Sequence, residues 1–180
     1  MQVAGQRPNQ YTMGSILRMC STSGLLGRGK KVHGYVIKTQ FESNDYVVMG
    51  LVDTYAKCNC ILEAEYLFKM TPDKKNHVMS TAMVAGYSQN GEAFKAIKCY
   101  RDMVVEGIAS NQFTLPSVLT ACAAVEAGNF GAQVHSFIVR SGFEPNVFVQ
   151  SALVDMYAKC RDLDSAIKVL VNTEVDDVVT

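Results

Sequence analysis

The chain carries no net charge, no membrane-length apolar run and no zinc-type pair of cysteines. Each absence removes a class of function. Lys+Arg and Asp+Glu both number 17, which counts against a strongly basic nucleic-acid binder while leaving charge free to segregate onto one face. No apolar stretch nears the roughly 20 residues that a spanning helix needs. Met1–Gln6 lacks the basic segment and apolar core of a secretory signal. Cys58-Asn59-Cys60 has the wrong gap for a metal-ligand pair, and no second pair follows at finger spacing. The cysteines therefore read as small buried helical side chains, and free thiols suit a reducing compartment. Long strand-like alternation is missing too: Val47-Val48 and Val147-Phe148-Val149 are short and run straight into helical spacing. Apolar residues still make up 48% of the chain, enough for a continuous buried layer.

What the chain does have is a long internal repeat. Tyr55-Ala56-Lys57-Cys58 returns as Tyr157-Ala158-Lys159-Cys160, preceded by Leu51-Val52-Asp53 in one copy and Leu153-Val154-Asp155 in the other. The same offset of 102 residues maps Gln10 onto Gln112, Thr12 onto Thr114, Cys20 onto Cys122, Val32-His33 onto Val134-His135 and Phe41-Glu42 onto Phe143-Glu144. A period this long contains smaller units, because units of roughly 20–50 residues are the signature of a solenoid.

Helical hairpins fit inside it. In 77–111, Met83, Val84 and Tyr87 mark a first helix, Asn90-Gly91 breaks it, and Ala96, Ile97, Tyr100 and Met103 form the stripe of a second, which Gly107 closes. The stretch 10–44 turns near Ser23-Gly24 and continues through Val32, Val36 and Ile37. The stretch 45–76 turns at Asn59-Cys60 and continues through Ala64, Leu67 and Phe68. Units 112–146 and 147–177 repeat those two. Hairpins this short cannot bury their stripes alone and must stack on neighbours.

With these landmarks the sequence resembles the pentatricopeptide repeat family, in its plant PLS subclass, over essentially the whole chain. Unit 77–111 resembles a P-type motif, through Ala85-Gly86-Tyr87, Asn90-Gly91, Ala96, Met103 and Gly107. Units 10–44 and 112–146 resemble L-type motifs, through Thr114, Ser117-Val118-Leu119, Ala121-Cys122-Ala123, Gln133-Val134-His135 and Gly142-Phe143. Units 45–76 and 147–177 resemble S-type motifs, through their Leu-Val-Asp-x-Tyr-Ala-Lys-Cys segments. Residues 1–9 look like the end of a truncated P motif and 178–180 like the start of a further repeat, as in a segment of a longer array or a shortened gene product.

The resemblance implies an all-α solenoid of stacked hairpins in a right-handed superhelix, with single-stranded organelle RNA as partner. It implies no cofactor and no membrane, and a mitochondrial or chloroplast location. One base lies on each repeat, read by the fifth and last residues. Carried over by position, Thr81 with Asn111 favours adenine and Ser151 with Asp177 favours guanine, while Met49 with Asn76 is assigned no base. Gly14 with Asn44 and Pro116 with Asn146 lack a side-chain donor at the fifth position and read as spacers. Tyr46, Val78 and Phe148, at second positions, would pack on base faces; read structurally, they are helix-start core.

Subclass members often end in a deaminase-like domain, whose His-x-Glu and Cys-x-x-Cys hold zinc and shuttle a proton. Here His33, His77 and His135 are each followed by other residues, and no Cys-x-x-Cys occurs, so the chain reads as non-enzymatic. A deaminase or editing accessory proteins would then come from elsewhere in the full protein or in trans. His33 and His135 read as packing residues of the L-type second helix. Gly24 to Lys31 has Walker-like spacing but no Ser or Thr after the Lys and no preceding strand, so it reads as a turn. The runner-up function is a protein-interaction scaffold resembling tetratricopeptide arrays, and a third reading is a non-functional remnant.

Overall fold

The structure, a computed structural model, describes residues 8–71 and 77–177, with side chains to residue 171. Four asparagines start four of its helices. Each uses its Oδ1 to accept a backbone N–H three residues on: Asn9 from Thr12 at 3.0 Å, Asn44 from Val47 at 3.2 Å, Asn111 from Thr114 at 3.0 Å, and Asn146 from Val149 at 3.2 Å. This satisfies one of the orphan donors of a helix N-terminus. The helices so begun are α1 (Gln10–Thr22), α3 (Asp45–Lys57), α7 (Thr114–Ala124) and α9 (Val147–Lys159). Between them in chain order lie α2 (Leu26–Lys38), α4 (Ile61–Met70), α5 (His77–Gln89), α6 (Ala93–Val105) and α8 (Gly128–Arg140), and α10 (Leu163–Asp177) closes the series. A single 3-10 turn, Phe41–Ser43, is the one other helical element among the described residues.

Every hairpin turns the same way. The first helix ends on a residue of positive φ: Gly24, Asn59, Gly91, Glu126 and Arg161. The next residue then donates its N–H to a carbonyl five residues back, at 2.9 Å in all five cases: Leu25 to Cys20, Cys60 to Tyr55, Glu92 to Tyr87, Ala127 to Cys122 and Asp162 to Tyr157. These are Schellman closures, which satisfy late helix carbonyls and reverse the chain in few residues.

The first helices stack side by side, α1 on α3, α3 on α5, α5 on α7 and α7 on α9. Each second helix from α2 to α8 packs against its own first helix and that of the following unit, as α2 does on α1 and α3 and α6 on α5 and α7, while α10 packs on α9. The result is an all-α solenoid with no strand among the described residues. Its buried layer forms two clusters. One runs from Met13 and Leu17 to Ala96 and Ala121, the other from Val84 and Tyr100 to Ala166 and Val169, and Ile97 and Cys99 pack against both.

The apolar stripes are placed as their periodicity predicts, with two corrections. Ile37, grouped with Val32 and Val36, faces solvent, because α2 is held by only one buried ridge through Gly29 and Val36. Cys58 and Cys160 stand at the C-caps of α3 and α9, half-buried, unlike the buried mid-helix Cys20 and Cys122. All six thiols are free. Burial pushes Cys99 and Cys122 up to about 12, which removes their thiolate reactivity at neutral pH.

Candidate nucleic-acid interface

The N-terminal ends of the first helices carry one large apolar residue each at the second position of every unit. Tyr11, Tyr46, Val78, Phe113 and Phe148 are 66%, 44%, 42%, 67% and 76% exposed. Folding normally buries such side chains, so a repeated exposed row is a surface feature of the array. The structural reading of Tyr46, Val78 and Phe148 as helix-start core does not hold. Tyr11 and Phe113 complete the row. The sequence reading left them out, although the unit boundaries already put them at the second position. Tyr11 and Tyr46 lie with ring centroids 6.1 Å apart, so second positions of adjacent units stand within stacking reach.

One turn along, the fifth positions differ sharply. Thr81 is half-buried on α5 and meets Asn111, which caps α7: Asn111 Nδ2 donates to Thr81 Oγ1 at 3.3 Å. Thr81 Oγ1 also lies 2.8 Å from Thr114 Oγ1. Ser151 is exposed on α9; its assigned partner Asp177 ends α10 with its side chain outside the described residues. Met49 is half-buried against the first core cluster, and Asn76 lies outside the described residues.

At the fifth positions of 10–44 and 112–146, Gly14 and Pro116 offer no side-chain donor. A Cβ on Gly14 would sit 2.1 Å from Tyr46 Cε1, so the Tyr46 ring lies directly on the Gly14 backbone. In the later copy the fifth residue is Pro116, and Asn146 turns its Nδ2 to Gln112 Oε1 at 3.3 Å instead.

Beneath this face, the contact of α2 with α3 and that of α8 with α9 are each fastened by one aromatic pair. His33 Nδ1 lies 2.8 Å from the Tyr55 hydroxyl, and His135 Nδ1 lies 2.9 Å from that of Tyr157. The rings meet edge-on, with centroids 5.6 Å apart in both pairs. Burial lowers both imidazole pKa values, with Glu42 and Glu144 pulling them partly back up. These histidines join consecutive hairpins. Gly24 and Gly29, the two glycines at Walker-like spacing, are likewise structural: Gly24 reverses the chain at positive φ, and Gly29 is buried against Thr54.

Both lysines of the first helices are locally neutralised. Lys57 pairs with Asp53 at 3.0 Å and Lys159 with Asp155 at 2.9 Å, one helical turn apart in each case. The face thus offers exposed rings, a few polar pairs and little net field, which suits contact with flat unpaired groups more than attraction to a phosphate backbone.

The family model described as PPR repeat matches residues 78–108 and 151–172. Among similar proteins of Arabidopsis thaliana, one pentatricopeptide repeat-containing protein is 38% identical over 181 residues, covering 100% of this chain and 26% of its own length. A chloroplastic member is 36% identical over 159 residues, 88% of this chain and 20% of that protein. A mitochondrial one is 37% identical over 166 residues, 92% of this chain and 16% of that protein. The chain thus spans about a quarter or less of the length of the curated relatives it matches. Among solved structures, the pentatricopeptide repeat protein PPR10 in complex with an 18-nucleotide psaJ RNA element superposes with a TM-score of 0.73 at 21% identity, over 95% of this chain and 26% of that one. A structure of PPR10 from maize gives 0.63 at 20% identity over 95% and 25%. With repeated hairpins, asparagine caps and an all-helical stack already in place, these likenesses mean that the chain belongs to the pentatricopeptide repeat family.

Proposed function

We propose that this chain is a segment of a PLS-type array, with units 10–44, 45–76, 77–111, 112–146 and 147–177, that binds single-stranded RNA by sequence. The observation that carries the reading is the exposed row Tyr11, Tyr46, Val78, Phe113 and Phe148 beside a polar pair, Thr81 and Asn111, already in hydrogen-bond contact. Rings give sequence-blind stacking of unpaired bases, and a polar pair one turn away adds choice. Thr81 with Asn111 prefers adenine, and Ser151 with Asp177 prefers guanine two bases toward the 3′ end. The array works in an organelle, in line with the chloroplastic and mitochondrial names of relatives, and supports editing or processing of transcripts. Any deaminase or editing accessory protein acts from outside this stretch.

The test is competition binding by the full-length protein against RNAs varied at one base. Thr81→Ala should flatten preference at the adenine position by roughly 1–3 kcal/mol and leave the guanine position untouched. Ser151→Asn should move the guanine position toward uracil. Loss of affinity for every RNA alike, or no discrimination at all, would sink base reading. It would favour the protein-scaffold alternative, which the balanced charge and an apolar groove of about 290 Å³ between α6 and α8, lined by Tyr100, Val104, Phe130 and Phe137, also support.

A further inference from the structure

Thr114 is 0% exposed and lies in the unit after Thr81, so no base can touch it. Its hydroxyl nonetheless joins both members of the polar pair. Thr114 Oγ1 donates to Asn111 Oδ1 at 3.1 Å, and the same oxygen lies 2.8 Å from Thr81 Oγ1. Asn111 Nδ2 donates to Thr81 Oγ1 at 3.3 Å. Three side chains from two chain segments, α5 and the start of α7, thus form a closed ring.

The ring fixes which way every proton points. A carbonyl oxygen has no proton to give, so Thr114 must be the donor to Asn111 Oδ1. Having one proton only, Thr114 must then accept from Thr81. Thr81 thereby points its own proton inward, toward Thr114, and receives one from Asn111. The amide of Asn111 cannot flip either, because its Oδ1 also accepts the backbone N–H groups of Phe113 at 2.9 Å and Thr114 at 3.0 Å. What remains for a ligand is one free lone pair on Thr81 and one free N–H on Asn111. The pair is an acceptor beside a donor, in a set order.

The other caps isolate the role of the hydroxyl. Asn9 and Thr12 repeat the arrangement 102 residues earlier, with Thr12 Oγ1 donating to Asn9 Oδ1 at 3.1 Å. At Asn44 and Asn146 the third residue is Val47 or Val149, and the cap is made by backbone N–H groups alone. Helix capping therefore does not need the hydroxyl. We infer that Thr114 is a positioning residue for base discrimination by unit 77–111: through its buried hydroxyl it holds Thr81 as an acceptor and Asn111 as a donor. This rests on the RNA-reading proposal above.

Thr114→Val keeps the buried volume and the backbone cap and removes only the hydroxyl. Thr81 can then rotate and donate, and the pair loses its fixed polarity. In competition binding by the full-length protein, the ratio of dissociation constants between the preferred base and the others at the Thr81–Asn111 position should fall by about fivefold or more. The ratio at the Ser151–Asp177 position should stay as in the parent protein. Thr114→Ser, which restores the hydroxyl, should keep the preference. Thermal melts followed by circular dichroism report the fold of each variant, and Thr114→Ala serves as a second hydroxyl-free variant should valine perturb it. Uniform weakening on all RNAs with unchanged ratios would make Thr114 merely structural and overturn the inference. So would a preference that survives both hydroxyl-free variants while Thr81→Ala abolishes it, which leaves the base-reading proposal standing. If Thr81→Ala changes no ratio, the reading itself has failed and the inference falls with it.

Discussion

The two copies of the 102-residue repeat, 10–76 and 112–177, agree in what holds them together and differ in what they present. Below the surface they are close to duplicates. The His–Tyr fastening recurs at 2.8 and 2.9 Å, the Asp–Lys pairs at 3.0 and 2.9 Å, and the Schellman closures at 2.9 Å. Above it, Tyr46 lies flat on Gly14 beside Tyr11, whereas Phe148 stands out at 76% exposure and the residue equivalent to Gly14 is Pro116. Met49 leans into the core where its equivalent, Ser151, is exposed. Interfaces between repeats must keep one geometry for the array to stack at all. Face residues carry no such duty and are free to diverge, so divergence on a shared frame marks the face on which specificity can be written.

The frame itself is not identical at one contact, and that contact gives the largest expected effect. A Cβ on Gly29 would lie 2.8 Å from Thr54 Cγ2, and one on Gly131 would lie 2.4 Å from Met156 Sδ. Thr54 cannot move aside, because it is β-branched and its hydroxyl donates to Leu17 O at 3.1 Å and Gly50 O at 2.7 Å. Met156 is unbranched and can swing its thioether away. Gly29→Ala should cost about 1–2 kcal/mol, overpacking outweighing the gain in helix propensity, while Gly131→Ala should be near neutral. Urea unfolding of the two variants checks this. Equal losses would mean that the two interfaces are equally rigid.

A smaller effect of opposite sign comes from the turns. Gly24 and Glu126 are equivalent, with φ of 63° and 50°. Only glycine adopts that region without a Cβ penalty. Glu126→Gly should therefore stabilise the second copy by about 1 kcal/mol, and Gly24→Ala should destabilise the first by a similar amount. Midpoints of chemical denaturation report both. A destabilising Glu126→Gly would show that the glutamate makes a compensating contact.

The smallest effect tests where the copies match. His33 and His135 have pKa values lowered by burial, so the folded chain disfavours protonating them. Stability from this source is complete above the ordinary imidazole value near ~6.5 and declines as pH falls through it toward the lower folded value, where the loss levels off. Melting temperatures at pH 7.5 and 5.5 should show the decline. His33→Gln and His135→Gln should each remove a similar part of it, and the double variant most of it. A slope left intact in the double variant would assign the pH dependence to carboxylates.

Much of the array was legible in the chain because repetition amplifies weak local signals. One Asn-Gly or one apolar stripe says little, but landmarks recurring at a single offset define hairpins, their order and their approximate turns. The second positions recur by the same token, and Tyr11 and Phe113 stand there as Tyr46, Val78 and Phe148 do. Two kinds of feature were not legible. Left-handed turn residues were hidden where Glu126 and Arg161 occupy positions that glycine would have announced. The caps were hidden because Asn111 reads as a base-reading side chain and Asn44 and Asn146 as members of spacer pairs, whereas these three and Asn9 also start the next helix.

The sequence by itself determined that this chain is a helical repeat array with two near-copies of a paired unit, because periodicity and helix breakers are local properties that survive without a fold. Only the tertiary structure decided which polar groups meet. Thr81 lies some 30 residues from Asn111 and Thr114 in the chain, and the 2.8 and 3.3 Å contacts that bring it into one ring with them depend on how α5 stacks on α7. Hydrogen-bond direction is a property of assembled neighbours, so the polarity of that pair exists only once the hairpins have packed.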